Sequence, residues 1–128
     1  MMLKSKFCLC PSGHEVASRR IVEAINAECV LVIVSEHYAL PFSEVLRWEV
    51  FSVKVEVSDI WRLKEVLMGV QEKYKWLVEN LRVVRRHFEL NQSAKRFDVF
   101  HMTLHSVWLW RINIGLAEII IFFCLYIW

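Results

Sequence analysis

The run Cys29-Val30-Leu31-Val32-Ile33-Val34 constrains this chain more than any other stretch. These residues are apolar in succession and rich in β-branched side chains. A strand made of them must be covered on both faces, the condition of a strand inside a parallel sheet. The preceding segment completes the unit. Phe7-Cys8-Leu9-Cys10 is a shorter apolar run that ends at Pro11-Ser12-Gly13, where proline removes a backbone donor and glycine permits positive φ, so a strand gives way to a loop. Ser18 then offers an N-cap oxygen just ahead of Ile21, Val22 and Ile25, and a helix is expected from there. Residues 6–35 therefore read as one βαβ unit.

The chemistry of such a unit sits where the loop meets the helix. Arg19 and Arg20 fall in the first turn, where the helix dipole disfavours each cation by roughly 0.3–1 kcal/mol, and an anion bound there would reverse the sign. Unpaired helix N–H groups, Ser12, Gly13 and a guanidinium fork together make a cradle for a diphosphate. Helical spacing puts Arg20 and Glu23 on one side with the small Ala24 and Ala27, leaving Ile21, Val22 and Ile25 to pack. Glu23, a turn deeper, is placed to accept hydrogen bonds from sugar hydroxyls. Many βαβ units with a serine cap and surface arginines bind nothing, and spacing alone does not separate the two cases.

A larger pattern does. FCLCPSGHEVAS at residues 7–18, then Arg20 to Ile25, Ala27 to Val30 and Leu40 to Trp48 resemble the exostosin-like glycosyltransferases of family 47, particularly the plant branch. The resemblance continues in register from about residue 2 to residue 113. It implies an α/β fold: the Rossmann-like, C-terminal donor-binding half of a GT-B enzyme, truncated, with helices at its C-terminal end. The implied reaction is inverting transfer of a sugar, from a UDP-sugar foremost, to a polysaccharide or glycan acceptor in cell-wall synthesis. By the same resemblance Glu15 faces the donor sugar, Glu23 the ribose, and Arg20 the diphosphate with help from Ser12, Gly13 and Ser18. Glu36 lines the same pocket. No cofactor other than the nucleotide-sugar substrate is implied, and no metal. The base that activates the acceptor is expected in the N-terminal half, so that half, or a related transferase, is the expected protein partner. The Golgi membrane, luminal side, is the location the family implies; no anchor is read in this chain.

The chain departs from the family where Arg19, Leu31 and Trp61 stand in place of the usual prolines. Arginine at the first helical position forgoes the preorganised φ that proline supplies. With a length of 128 residues, where a GT-B enzyme needs two such domains, these losses raise a competing expectation: a truncated, non-catalytic remnant or an interaction protein. Sixteen basic and 14 acidic residues give a net charge of +2, which makes no general case for nucleic acid.

The remaining segments are read by periodicity. Cys8, Cys10, Cys29 and Cys124 are not expected to form a disulfide framework, and Cys8 and Cys10, on one face of a strand, are expected to pack as small hydrophobes. Residues 36–42 should form a loop at the carboxyl end of a strand, with Leu40, Phe42, Val45, Leu46 and Trp48 packing around a short turn. Residues 51–57 alternate as a half-exposed edge strand with Lys54 and Glu56 outward. Ser58 or Asp59 should cap a helix that Gly69 ends, and a second helix should run from about Glu72 to Leu90 with a solvated basic face of Lys73, Lys75, Arg82, Arg85 and Arg86. Asn91-Gln92-Ser93 is an N-glycosylation sequon. A last helix is expected from about Ala94 to Asn113, with Phe97, Phe100, Leu104, Val107 and Trp108 on one side; His101 and His105 on it lack a third ligand at motif spacing. The domain is thus drawn as residues 1–113, followed by an apolar tail, 114–128, whose run of ten apolar residues is short of the ~20 that a membrane helix requires.

Overall fold

The uninterrupted apolar run becomes the middle strand of a parallel sheet, and everything else is arranged around it. In the computed structural model, which describes residues 5–11, 19–36 and 39–127 with 116–127 as helical backbone alone, β2 (Val30–Val34) is buried along its whole length. It pairs in parallel with β1 (Phe7–Pro11) on one side and β3 (Ser52–Val55) on the other, in the order β1-β2-β3. Leu9 lies opposite Val32, and Ile33 opposite Lys54. The expected β1 runs one residue further, through Pro11, which an edge strand tolerates because its free N position needs no partner.

Strand alternation then divides the core in two. Leu31 and Ile33 face α1 (Arg19–Asn26) and α3 (Tyr74–Arg85), packing with Ile21, Ile25, Leu81 and Phe88. Val32 and Val34 face the other way, with Val55, toward α2 (Leu63–Val70) and its Leu63, Val66 and Leu67. Each fully buried aliphatic side chain contributes about 1.5–3 kcal/mol, so β2 with its neighbours is the energetic centre of the fold.

α1 departs from the expected stripe in one respect. Ala24 is completely buried and Val22 is 39% exposed, the reverse of the side assigned to each from spacing. Eight residues make little more than two turns, and the small Ala24 lets the helix lie close against the sheet. The helix ends in a Schellman arrangement: the Cys29 N–H reaches the Ala24 carbonyl at 3.0 Å and the Glu28 N–H the Ile25 carbonyl at 3.1 Å. Glu28 occupies the left-handed position at φ 53°, where glycine is usual. Its carboxylate is held from α3, by Arg82 at 2.8 Å and Arg85 at 3.3 Å. Arg85 also meets Glu89 at 3.3 Å, so part of the basic face expected to be merely solvated is an ion-pair network joining α1 to α3.

The same termination delivers Cys29 to Cys8. The two form a disulfide with Cα atoms 5.8 Å apart, across a sequence separation of 21. This corrects the expectation that the cysteines form no disulfide framework and that Cys8 packs as a small hydrophobe: Cys8 and Cys29 belong to neighbouring parallel segments, a proximity that cysteine counting does not reveal. Cys10 is free and buried, as expected of it.

From β3 onward the helices are more continuous than their glycine suggested. Val57–Arg62 is a 3-10 segment leading into α2, with no side-chain cap from Ser58 or Asp59. Gly69 lies inside α2, and the chain passes through 3-10 turns at Gln71–Lys73 and Arg86–Phe88 on either side of α3. α4 (Val99–Ile127) starts five residues later than expected and continues well beyond Asn113. Its inward contact is Met102, which is buried, whereas Phe100, Leu104, Val107 and Trp108 are exposed. The apolar side read from periodicity is therefore the outer one. Trp110 ties the helix to the 41–45 turn by donating to Glu44 Oε1 at 3.0 Å, and this bond, more than any other influence, lowers the Glu44 pKa.

Candidate functional site

In a parallel sheet the loops that leave the carboxyl ends of the strands share one edge, and ligands bind in the crevice there. β1 ends at Pro11 and β2 at Val34 on that edge. α1, which follows the β1 loop, begins at Arg19, and both Arg19 and Arg20 are exposed in its first turn with no acidic residue among them. Arg20 lies near enough to the end of β1 to act on Cys10. Burial pushes the Cys10 thiol pKa up, and the Arg20 guanidinium pulls against it more weakly. Glu23 is exposed one turn along α1, and Glu36 is exposed two residues beyond β2.

Arg20, Glu23 and Glu36 thus lie on elements that meet at one edge of the sheet, each with its charged group open to solvent. Ser12, Gly13, Glu15 and Ser18, the other residues assigned to the donor pocket, lie outside the described residues, as do His37 and Tyr38. Among the described residues, no side-chain hydrogen bond or ion pair engages Arg20, Glu23 or Glu36, and no group of three or more His, Cys, Asp or Glu is arranged to hold a metal. The exposed His101 ring instead meets Asp98, its Nδ1 3.3 Å from Asp98 Oδ1. The arrangement offers one guanidinium beside a helix N-terminus for a phosphate, and carboxylates nearby that can accept from hydroxyl groups.

Sequence reasoning missed that Cys10 lies within the electrostatic reach of Arg20. The signal was present in the alternation of β1, which puts Cys8 and Cys10 on the α1 face.

Comparison with known proteins bears on what such an edge is for. The Exostosin GT47 domain model matches residues 1–70. The chain belongs to the Exostosin GT47 family. A probable glycosyltransferase of Arabidopsis thaliana is 63% identical to this GT47 chain over 117 residues, covering 91% of it and 24% of the relative. A second Arabidopsis probable glycosyltransferase is 55% identical over 117 residues, again 91% of the chain and 25% of the relative. A probable glucuronoxylan glucuronosyltransferase from the same plant is 34% identical over 99 residues, 77% of the chain and 20% of that protein. The GT47 chain therefore spans about a quarter of the length of the first two relatives. Among the described residues, no helix is long and apolar enough to cross a membrane.

Proposed function

We propose that this GT47 chain is the donor-binding portion of a glycosyltransferase with the Rossmann-like topology of a GT-B enzyme, acting in cell-wall glycan synthesis. Membership of the family supports the reaction class, and the names of its plant relatives support the acceptor class. The observation that carries the reading is the exposed Arg20 at the N-terminus of α1, beside the carboxyl edge of a parallel sheet. In this reading Arg20 neutralises the diphosphate as the donor's glycosidic bond breaks, with the helix N–H groups, Ser12, Gly13 and Ser18 beside it. Glu23 accepts from the ribose, Glu15 faces the donor sugar, and Glu36 closes the pocket from the β2 side. The donor is a UDP-sugar, transfer is inverting, and the base that deprotonates the acceptor hydroxyl belongs to polypeptide outside the matched quarter. Residues 1–113 form the donor domain, working on the luminal side of the Golgi membrane, and the buried Cys8–Cys29 disulfide is compatible with an oxidising lumen.

Calorimetric titration with UDP and GDP tests this directly. UDP should bind saturably, and Arg20→Ala should weaken it by about 1.5–3 kcal/mol, the scale of one charge-assisted hydrogen bond. Glu23→Ala should weaken UDP more than it weakens pyrophosphate. A folded chain that binds neither nucleotide, or binds them equally well without Arg20, would overturn the reading.

A further inference from the structure

A second concavity lies along the flank of the edge strand β3. A cavity of about 550 Å³ lies between the segment 47–54 and the first turns of α3, within the roughly 300–1,000 Å³ span of small-ligand clefts. Trp48 forms its buried floor, and Trp76, 49% exposed, stands on the α3 side. Three cations line it from three different elements: Arg47 before the 48–50 turn, Lys54 on β3 and Lys73 at the start of α3. Glu49 is, among the described residues, the only acidic one in the lining. Among the described residues, none of the three cations has a carboxylate partner.

The walls are held in place. The Asn80 amide donates from α3 to the Val50 carbonyl at 2.9 Å, Ser52 Oγ donates to the Trp48 carbonyl at 2.7 Å, and Trp48 Nε1 donates to the Pro41 carbonyl at 3.0 Å. Lys54 belongs to this construction through its register. It pairs with Ile33, so its side chain leaves the sheet on the face that elsewhere forms the α1–α3 core. A lysine there is one means of guarding an edge strand against pairing. Guarding requires Lys54 alone, however, and does not call for Arg47 and Lys73 on the same concavity.

We propose that this groove binds an acidic, uronate-bearing oligosaccharide. The excess of cations selects an anion, because a desolvating apolar floor strengthens each charge–charge contact. The half-exposed indole of Trp76 presents a flat amphipathic surface on which a sugar ring can lie while its hydroxyls stay wet. A glycan is preferred over a nucleotide because the groove runs along the flank of β3, from Ser52 to Lys54, whereas nucleotides in parallel sheets bind beyond the carboxyl ends of the strands. The choice of a glycan rests on the glycosyltransferase reading above, and the groove then holds a stretch of polymer remote from the reacting sugar.

The test uses the full 128-residue chain, titrated with an oligogalacturonate and with a neutral β-glucan oligosaccharide of the same length. The acidic oligosaccharide should bind saturably and the neutral one at least tenfold more weakly. Lys54→Glu and Lys73→Glu should each lower the acidic affinity roughly tenfold or more, the scale of a lost charge-assisted contact. Trp76→Ala should lower it about fivefold, within the range of one aromatic contact. All three side chains are exposed, so unchanged thermal unfolding will show that the variants fold. Equal affinity for the two oligosaccharides, unaltered binding in both charge reversals, or no binding by the folded chain would overturn the proposal. Titration of the same variants with UDP keeps the two readings apart. UDP binding without oligogalacturonate binding removes the groove alone, and the converse removes the donor site alone.

Discussion

Asp98 illustrates how much a single residue can fix when the chain offers it several donors. It is buried at the foot of α4, and its carboxylate accepts from the Lys95 N–H at 2.8 Å, the His101 N–H at 3.2 Å and the Asn91 amide at 3.5 Å. The Lys95 N–H is the largest influence and burial opposes it, but the three donors and the His101 ring together lower the pKa to about 2 from 3.8. A carboxylate depressed in the folded state contributes stability that is fully present above its unfolded pKa and lost as pH falls through the folded one. Stability should therefore decline between about pH 4 and pH 2, and Asp98→Asn should flatten that decline. The same substitution should lower Tm near neutral pH by roughly 3–6 °C, the effect of a weakened helix cap in a domain of this size. A calorimetric pH series on both proteins checks the sign; an unchanged acid limb would show that other carboxylates govern it. Asn91 is also the sequon asparagine, and its half-burial against Asp98 could not be read from the tripeptide.

At the scale of elements, the α4 register and the disulfide make the sharpest predictions. Helical spacing identified an apolar stripe on α4, and the structure turns that stripe outward and Met102 inward. Aromatic and aliphatic residues occur nearly all round this helix, so period alone could not choose the inward face. Contact with the 86–88 turn and the Trp110–Glu44 bond made the choice. Met102→Ala should accordingly cost about 2–5 kcal/mol, the usual range for a buried methionine, while Leu104→Ala should stay within roughly 0.5 kcal/mol of the parent. Urea unfolding of both decides which face is inside. The Cys8–Cys29 bond closes a loop, with a sequence separation of 21, that contains the whole α1 crossover. Chain entropy predicts about 3 kcal/mol of stabilisation for such a loop. Reduction, or Cys8→Ala with Cys29→Ala, should lower the urea midpoint accordingly, and thiol counting on the denatured chain should find two more thiols after reduction than before. Equal counts would dispose of the bond.

The whole molecule presents much apolar surface. Leu9, on the edge strand, and the α4 residues Phe100, Leu104, Val107, Trp108, Trp110, Ile112 and Ile114 are all exposed, and 56% of the sequence is hydrophobic. Contiguous exposed apolar patches on this scale mark surfaces that are covered in a larger assembly or that aggregate. The sequence of residues 119–128, Ile-Ile-Ile-Phe-Phe-Cys-Leu-Tyr-Ile-Trp, adds an uncharged run of the aggregation-prone kind. Removing residues 116–128 should raise the soluble concentration severalfold and leave UDP affinity unchanged, because Arg20, Glu23 and Glu36 lie on α1 and β2 and the loop that follows. Sedimentation and titration of the shortened chain check both halves of that statement. A fall in affinity would make the distal part of α4 a support of the nucleotide site.

The amino-acid sequence by itself determined the parallel βαβ unit, because six apolar residues without alternation have no stable place except between two covered faces. It also determined the edge character of β3, where alternation exposes Lys54, and it carried the family in motifs dense enough to be recognised. Only the tertiary structure decided what depended on residues far apart in the chain. It brought Cys29 to Cys8, held Glu28 in a left-handed conformation with two arginines from α3, and turned Met102 inward. It also gathered Arg47, Lys54 and Lys73 around one groove. Periodicity reports which side of an element is apolar; it carries no information about which other element will arrive there, and every one of these features is a contact between two elements.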